Sequence, residues 1–153
     1  MNLTHRTLVR KAEEQDLLDV LLLIKQFHKT TPSYYGTFNS AKMKANLEGL
    51  ATSDNTVVFV LEKDNSIIGF LVGMWSEHLF SDSRVASELG FFIEEDHRGG
   101  RAFLKLIKAY EEWAKEQSCD CICMSDITEI QTLETLYSRF GYSKAETSYI
   151  KEL

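Results

Sequence analysis

Two glycines and two arginines stand close together in the segment His97-Arg98-Gly99-Gly100-Arg101-Ala102. The segment follows an apolar run at residues 89–93 and precedes apolar residues at helical i, i+3, i+4 spacing, which predicts a buried strand, a tight turn and an amphipathic helix. The first amides of a helix have no intrahelical acceptor and carry the positive end of its dipole, so a turn of glycines there can bind a phosphate. Cations in a first turn oppose the dipole unless an anion lies among them, so Arg98 and Arg101 also indicate an anion site.

A purely structural interpretation of this turn remains open. Asp96 would then cap the helix, Gly99 and Gly100 would only form the turn, and His97 would only pack over it. A nucleotide-binding turn is disfavoured, because no Gly-Lys-Ser/Thr follows the glycines and no three-glycine dinucleotide fingerprint is present.

The elements that must position this turn can be read from hydrophobic periodicity and turn residues. Strands are predicted at residues 6–11, 57–61, 67–75, 84–93, 119–124 and 142–153, and helices at 13–29, 40–50, 103–114 and 130–140, the last ended by Gly141. The order β-α-α-β-β-β-α-β-α-β predicts an α/β (α+β) fold with a mixed, mostly antiparallel sheet of about six to seven strands and about four helices. With 153 residues and 44% apolar content, we expect one domain spanning residues 1–153.

Charge and composition narrow the class of partner. The formal net charge of −6 argues against non-specific binding to nucleic acid or anionic membranes and is compatible with a cationic substrate. No apolar run approaches the ~18 residues of a membrane span, and the N-terminus lacks a signal-peptide core, so we expect a cytoplasmic protein. Cys119, Cys121 and Cys123 alternate along a predicted strand, which favours a packing face of small residues over a zinc site or a disulfide.

The turn resembles the acyl-CoA-binding signature of the GNAT superfamily of N-acetyltransferases, which reads Gln or Arg, two residues, Gly, one residue, Gly or Ala. Gly100 and Ala102 occupy the small positions, and His97 stands where the family has Gln or Arg. Residues 136–142, Leu-Tyr-Ser-Arg-Phe-Gly-Tyr, resemble the family's Leu-Tyr, three residues, Gly-Phe/Tyr signature. The element order is also that of the family, so the resemblance covers nearly the whole chain. The Asn that often opens the last helix in relatives is replaced by Ile130.

The resemblance implies acetyl-CoA as a co-substrate and no metal. Backbone amides of Arg98, Gly99, Gly100, Arg101 and Ala102, together with His97, would form the cofactor-binding turn, and Arg98 or Arg101 would add charge to the pyrophosphate site. The backbone of Phe91, Phe92 and Ile93 would lie where two strands splay apart, pair with the pantetheine and stabilise the oxyanion.

The resemblance also implies a base and an acid. Glu88 stands where relatives often carry a carboxylate that accepts the amine proton through water, and Tyr137 of the Leu-Tyr motif would protonate the departing thiolate. A surface glutamate and a core aromatic are the structural alternatives for these two residues. Cys121 as an acyl-enzyme nucleophile is disfavoured, since no paired histidine is evident.

Substrate selection is expected in two aromatic segments that carry no signature. Tyr34 and Tyr35 lie in a predicted loop, and Trp75 opens the segment that ends at Phe80. These side chains would line an amine or aryl pocket, although packing on a helix or a dimer surface is an equal alternative.

The sequence as a whole predicts an acetyl-CoA-dependent N-acetyltransferase that moves an acetyl group directly to an amine of a small molecule or peptide. The alternative is a non-catalytic acyl-CoA-binding or regulatory module that keeps the turn and has lost the chemistry. Neither nucleic acid nor membrane is an expected partner. Dimers are common in the family, so the resemblance is compatible with a homodimer.

Overall fold

The computed structural model describes residues 6–99, 101–127 and 131–153, and backbone alone for residues 131 and 132. Its five strands are β1 Thr7–Lys11, β2 Thr56–Lys63, β3 Ser66–Glu77, β4 Arg84–Ile93 and β5 Cys121–Cys123. Its four α-helices are α1 Leu17–His28, α2 Ser40–Thr52, α3 Ala102–Glu116 and α4 Gln131–Arg139. Three short 3-10 turns cover Glu14–Asp16, Ser33–Tyr35 and Glu95–His97.

The strands form one mixed sheet in the order β1-β2-β3-β4-β5. The first four strands pair antiparallel, and β5 pairs parallel to β4. The predicted α/β architecture with a mostly antiparallel sheet is therefore confirmed, with five strands instead of six to seven. None of the helices in the described residues is long and apolar enough to cross a membrane.

Helices cover the sheet on both faces because strand side chains alternate. Phe59 on β2 packs with the buried face of α3, whereas Val58 and Val60 pack with α1 and α2. The stripe predicted on α3 is buried at Leu106, Ile107, Tyr110, Trp113 and Ala114, while its first residue, Phe103, is half-buried and packs against the same core. Two cores therefore hold β2, β3 and β4 rigid between the helices.

The first helix begins later than its sequence pattern predicts. A 3-10 turn precedes Leu17, and the carboxylate of Asp16, only 5% exposed, accepts 2.6 and 3.0 Å hydrogen bonds from Arg10 and one of 2.7 Å from the Glu13 N–H. The bonds from Arg10 hold the pKa of Asp16 below its usual value. This buried ion pair ties β1 to the start of α1.

The predicted last strand at residues 142–153 is wrong. The chain leaves α4 through a Schellman motif, in which Gly141 has φ +87°, the Tyr142 N–H donates to Tyr137 O at 3.0 Å, and the Gly141 N–H donates to Ser138 O at 3.2 Å. Beyond Tyr142 every residue is exposed and none is assigned to a strand. The segment buries none of its few apolar side chains, so it lacks the packing that would hold a strand in the sheet.

The packing face predicted for the three cysteines is also wrong in part. Ile122 turns toward the core, and its neighbours Cys121 and Cys123 are exposed, while Cys119 packs against the core edge. Cys121 and Cys123 alternate with Ile122 as a strand requires, but the buried position belongs to Ile122, and Cys119 lies before the strand.

Candidate active site

A β-bulge in β4 sets the orientation of the residues at the site. Val72 pairs with Gly90 and Gly73 pairs with Glu88, so Leu89 has no partner on β3 and its side chain is 50% exposed. A bulge reverses the alternation of the residues beyond it. Glu88 and Phe91 consequently both lie on the α3 side of the sheet, although regular pairing would place them on opposite faces.

Glu88 is half-buried at the point where β4 and β5 separate. Its Oε2 accepts a 3.2 Å hydrogen bond from the backbone N–H of Ser125, just beyond β5. Burial raises the pKa of Glu88 to about 7, and the bond from Ser125 opposes that rise in part. A carboxyl group that titrates near neutral pH is suited to accept and release protons there.

Tyr137 reaches the same position from α4. The side chain is 8% exposed, and its hydroxyl donates a 2.8 Å hydrogen bond to the carbonyl of Ser125. Burial raises the pKa of Tyr137 well above its usual range, and the nearby charges of Glu88 and Asp126 raise it further. The hydroxyl therefore keeps its proton at neutral pH, and it is better suited to donate a hydrogen bond to a developing anion than to ionise.

Ser125 joins the two side chains that were proposed as base and acid. Its N–H binds Glu88 and its carbonyl binds Tyr137, so one peptide residue sets the distance between them. No sequence pattern singles out Ser125, because both bonds use its backbone. Its position directly after a short strand was the only available signal.

The sheet opens beside these residues. The parallel pairing of β4 with β5 covers only residues 85–87 against 121–123, and among the described residues nothing pairs with β4 on that side beyond Ser87. In a strand, alternate residues direct their N–H and C=O groups to each neighbour. The stretch with Phe91, Phe92 and Ile93 can therefore pair with an extended ligand lying between the strands.

The glycine-rich turn lies at the end of the same strand. Gly99 has φ +91°, a conformation that glycine adopts at little cost, and Ala102 begins α3. The Nε of Arg98 donates a 2.7 Å bond to Ile93 O, and its guanidinium carbon lies 5.1 Å from the centroid of the Phe92 ring. Arg98 is thus fixed against the strand end. Gly100, a predicted member of the turn, lies outside the described residues.

Cationic side chains collect around a small cavity next to the turn. The cavity has a volume of about 170 Å³ and is lined by Thr7, Lys63, Ile68, His97, Gly99, Arg101, Ala102 and Lys105. The Nδ1 atom of His97 is buried and has no hydrogen-bond partner among the described residues, while its Nε2 lies 4.0 Å from Glu94 Oε2. The cationic side chains of Lys63, Arg101 and Lys105, together with the first amides of α3, can bind an anion such as a phosphate.

The predicted substrate residues do not form one group. Tyr34 and Tyr35, 39% and 51% exposed, contact each other with ring centroids 4.9 Å apart. Trp75 is engaged elsewhere, since its Nε1 donates a 3.2 Å bond to Gln117 and the Arg84 guanidinium lies 4.2 Å from its ring centroid. No ring contact or hydrogen bond joins Trp75 to either tyrosine among the described residues.

The fold and the site together define a class of protein that can bind an extended anionic ligand. The anionic end of such a ligand would lie at the start of α3, and its other end would lie beside Glu88 and Tyr137. The sequence pattern of the acetyltransferase (GNAT) family matches residues 23–142. The chain belongs to this family, as its two motifs predict.

Solved structures share the fold at low sequence identity. An aminoglycoside N-acetyltransferase, AAC(6′)-Iy, in complex with CoA superposes with a TM-score of 0.84 at 17% identity, over 100% of this chain and 98% of that one. A protein described as a transcriptional regulator from Bacillus halodurans C-125 superposes with a TM-score of 0.81 at 17% identity, over 97% of this chain and 100% of that one. A ribosomal-protein-alanine N-acetyltransferase from Brucella melitensis biovar Abortus 2308 superposes with a TM-score of 0.76 at 14% identity, over 97% of this chain and 100% of that one. No curated protein sequence matches the chain.

Proposed function

We propose that this protein is an acetyl-CoA-dependent N-acetyltransferase that transfers the acetyl group directly to an amine of a small molecule or peptide. The observation that carries the proposal is the meeting of Glu88 and Tyr137 on the two sides of Ser125, at the opening between β4 and β5. Family membership supports the reaction class.

The residues of the turn fit the phosphates of CoA. The amides at the start of α3 and the side chain of Arg101 would hold the pyrophosphate, and the orphaned Nδ1 of His97 gives that region an additional polar group. The open edge of β4 would pair with the pantetheine and place the thioester near Ser125. The backbone amides of Phe91 to Ile93 would then stabilise the carbonyl oxygen as it gains negative charge.

Proton movements follow from the states of the two side chains. A primary amine is protonated at neutral pH and must lose a proton to attack the thioester. Glu88, with a pKa of about 7, would accept that proton through a water molecule. Tyr137 holds its proton and would stabilise the departing thiolate by donating a hydrogen bond to the sulfur.

The acceptor is proposed only as a class. Several similar structures are aminoglycoside N-acetyltransferases, one of them in complex with the bisubstrate analogue CoA-S-monomethyl-acetylneamine, and another is a ribosomal-protein-alanine N-acetyltransferase. The net charge of −6 favours a cationic acceptor. Aminoglycosides and peptides with an alanine N-terminus are the first substrates to test.

The test combines binding and turnover. Calorimetric titration with acetyl-CoA, CoA and ATP is expected to show binding of the first two, and thiol release with a panel of aminoglycosides, small amines and alanine peptides is expected to identify an acceptor. A Tyr137→Phe variant should keep its CoA affinity and lose about 10-fold or more in kcat, because the hydroxyl acts on the leaving group. The conservative control Tyr149→Phe removes a hydroxyl from a side chain that is 93% exposed and should behave as the wild type.

Two results would contradict the proposal. Failure to bind acetyl-CoA would remove the cofactor and with it the reaction. Binding of acetyl-CoA without thiol release on any amine, and without an effect of Tyr137→Phe, would favour the non-catalytic acyl-CoA-binding module.

A further inference from the structure

Tyr110 carries a buried hydroxyl that the mechanism above does not use. The residue is 0% exposed, and its Oη has no hydrogen-bond partner among the described residues. A buried hydroxyl left unpaired destabilises a protein, and a phenylalanine would fill the same space without that cost. A tyrosine at this position therefore requires a partner for its hydroxyl.

The ring of Tyr110 lies against the position on β3 that pairs with Glu88. A Cβ atom added to Gly73 would lie 2.6 Å from Cε2 of Tyr110, the ring carbon adjacent to the one that carries the hydroxyl. Gly73 is paired with Glu88 across the strands. Trp113 stacks on the ring, with centroids 6.0 Å apart and an interplanar angle of 18°, so the ring has little freedom to turn away.

Titratable groups on α3, on α4 and beyond β5 interact with this position. The Ser125 N–H donates to Glu88, and the charge of Glu88 raises the pKa of Tyr137 on α4 and of Tyr110 on α3, with Asp126 also acting on Tyr137. The charges of Cys123, Tyr142 and Cys119 also raise the pKa of Tyr110, and the hydroxyl of Tyr142 donates to Glu111 at 3.0 Å. After burial, the charge of Glu88 is the largest influence that raises the pKa of Tyr110.

We propose that Tyr110 is a positioning residue whose hydroxyl holds, together with the Glu88 carboxylate, the water molecule through which the substrate's proton reaches Glu88. The inference rests on the proposed function. The Tyr110 hydroxyl donates to the water oxygen, and the water donates to a carboxylate oxygen. A water molecule needs two to four polar partners to be held in a protein, and Tyr110, Glu88 and the incoming amine provide three.

The transfer is balanced without any further reactant. The N–H bond of the ammonium breaks as its proton joins the water oxygen, and one original O–H bond of that water breaks as its proton joins Glu88. Tyr110 keeps its own proton throughout, as its high pKa requires. Its role is to fix the water and, through it, to stabilise the charged form of the carboxylate.

The decisive variant is Tyr110→Phe, compared with Tyr142→Phe, which removes a hydroxyl bonded to Glu111 instead. The Glu88 carboxyl group is titrated by ¹³C NMR, and its resonance is assigned as the one that disappears in Glu88→Gln. Loss of a donor to the charged form should move the pKa of Glu88 upward in Tyr110→Phe and leave it unchanged in Tyr142→Phe. If Glu88 must be ionised to act, kcat/KM rises with pH through the pKa of Glu88, and this rise should move to higher pH by the same amount in Tyr110→Phe. At pH 6 the value of kcat/KM should then fall by roughly 3- to 10-fold, while KM for acetyl-CoA stays unchanged.

A measurement on the wild type needs no substitution. Rotating-frame cross-peaks between a long-lived water and the ring Hε protons of Tyr110 are expected, and their absence would overturn the inference. An unchanged titration of Glu88 in Tyr110→Phe would also overturn it, even if that variant were less stable, because the hydroxyl would then have some other partner.

The NMR experiments do not depend on turnover. If no amine is acetylated by the wild type while the titration shifts, the water bridge stands and the proposed function fails. If the wild type is active and the titration does not shift, the proposed function stands and the role of Tyr110 fails.

Discussion

Burial raises the pKa of the Glu88 carboxyl group to about 7, so this side chain titrates near neutral pH. As a base it acts only when ionised, so kcat/KM should rise with pH through an apparent pKa near 7. Glu88→Gln should lower kcat/KM by about 100-fold or more and remove this acidic limb. A thiol-release assay from pH 5.5 to 9 measures both effects.

The matched control is Glu112→Gln on α3, whose side chain is 70% exposed. It removes the same charge and should change neither the rate nor the pH profile. A Glu88→Gln enzyme that retained wild-type kcat/KM would show that the amine loses its proton elsewhere.

The same residue should make stability depend on pH. The folded pKa of Glu88 is about 7 and its ordinary value is 4.5, so between these values the folded state holds a proton that the unfolded state has lost. The free energy of unfolding should therefore decrease as pH rises through this window. Urea unfolding at pH 4.5, 6 and 8 should show that Glu88→Gln becomes more stable relative to the wild type as the pH increases. A pH-independent difference would contradict the raised pKa.

At the scale of elements, the contact between β3 and α3 is the most tightly fitted part of the site. Gly73 lies against Tyr110, and a Cβ there would be 2.6 Å from Cε2 and 3.1 Å from Cδ2 of a ring that is 0% exposed. Gly73→Ala should force these elements apart and destabilise the protein by about 1–3 kcal/mol. It should also reduce kcat by displacing Tyr110 from Glu88. Chemical denaturation and thiol release test these effects separately.

A second glycine supplies the control for that substitution. Gly49 lies within α2, and an added Cβ would meet none of the described atoms within 4 Å. Gly49→Ala should stabilise the protein by about 0.5–1 kcal/mol, because alanine loses less conformational freedom in a helix. Equal destabilisation by both substitutions would show that close packing against Tyr110 does not limit the side chain at position 73.

Elements could be predicted from the sequence where periodicity and turn chemistry agree. The stripe of α3, the C′ glycine at Gly141 and the strand that delivers the turn are all correct. The bulge at Leu89 could not be predicted, because it depends on how β3 pairs with β4 and leaves no mark in the order of residues. Tyr110 was hidden for a related reason, since its spacing is that of any core residue and its hydroxyl became notable only when no partner was found.

The proposed catalytic residues were found by a different route. Glu88 and Tyr137 came from the resemblance to the family, since neither periodicity nor spacing distinguishes a catalytic glutamate from a surface one. The structure adds the contact that brings them together, which is made by the backbone of Ser125. Trp75 contacts Arg84 and Gln117, and its role in substrate binding stays a prediction.

At the scale of the whole molecule, the two cores end before the C-terminal segment does. Tyr149 and Ile150 are 93% and 64% exposed, whereas Tyr142 is held by Tyr137 and Glu111. Deleting residues 147–153 should leave the thermal midpoint unchanged. Deleting residues 141–153 should lower it by several degrees, since it removes the helix cap and the bond to Glu111.

Differential scanning calorimetry of the two truncated chains makes this comparison directly. A lower midpoint for the shorter deletion would mean that the segment contributes packing to the folded protein in solution.

The stack of Trp113 on Tyr110 also gives the protein an optical property. The chain has two tryptophans: Trp113, 3% exposed, stacks on the ring of Tyr110, whose pKa the charge of Glu88 raises, whereas Trp75 lies under the guanidinium of Arg84. The emission of an indole responds to a charge that appears nearby, so the fluorescence of Trp113 should change as Glu88 ionises. In a Trp75→Phe chain Trp113 would be the one remaining tryptophan, so the emission spectrum excited at the tryptophan band should follow the charge on Glu88.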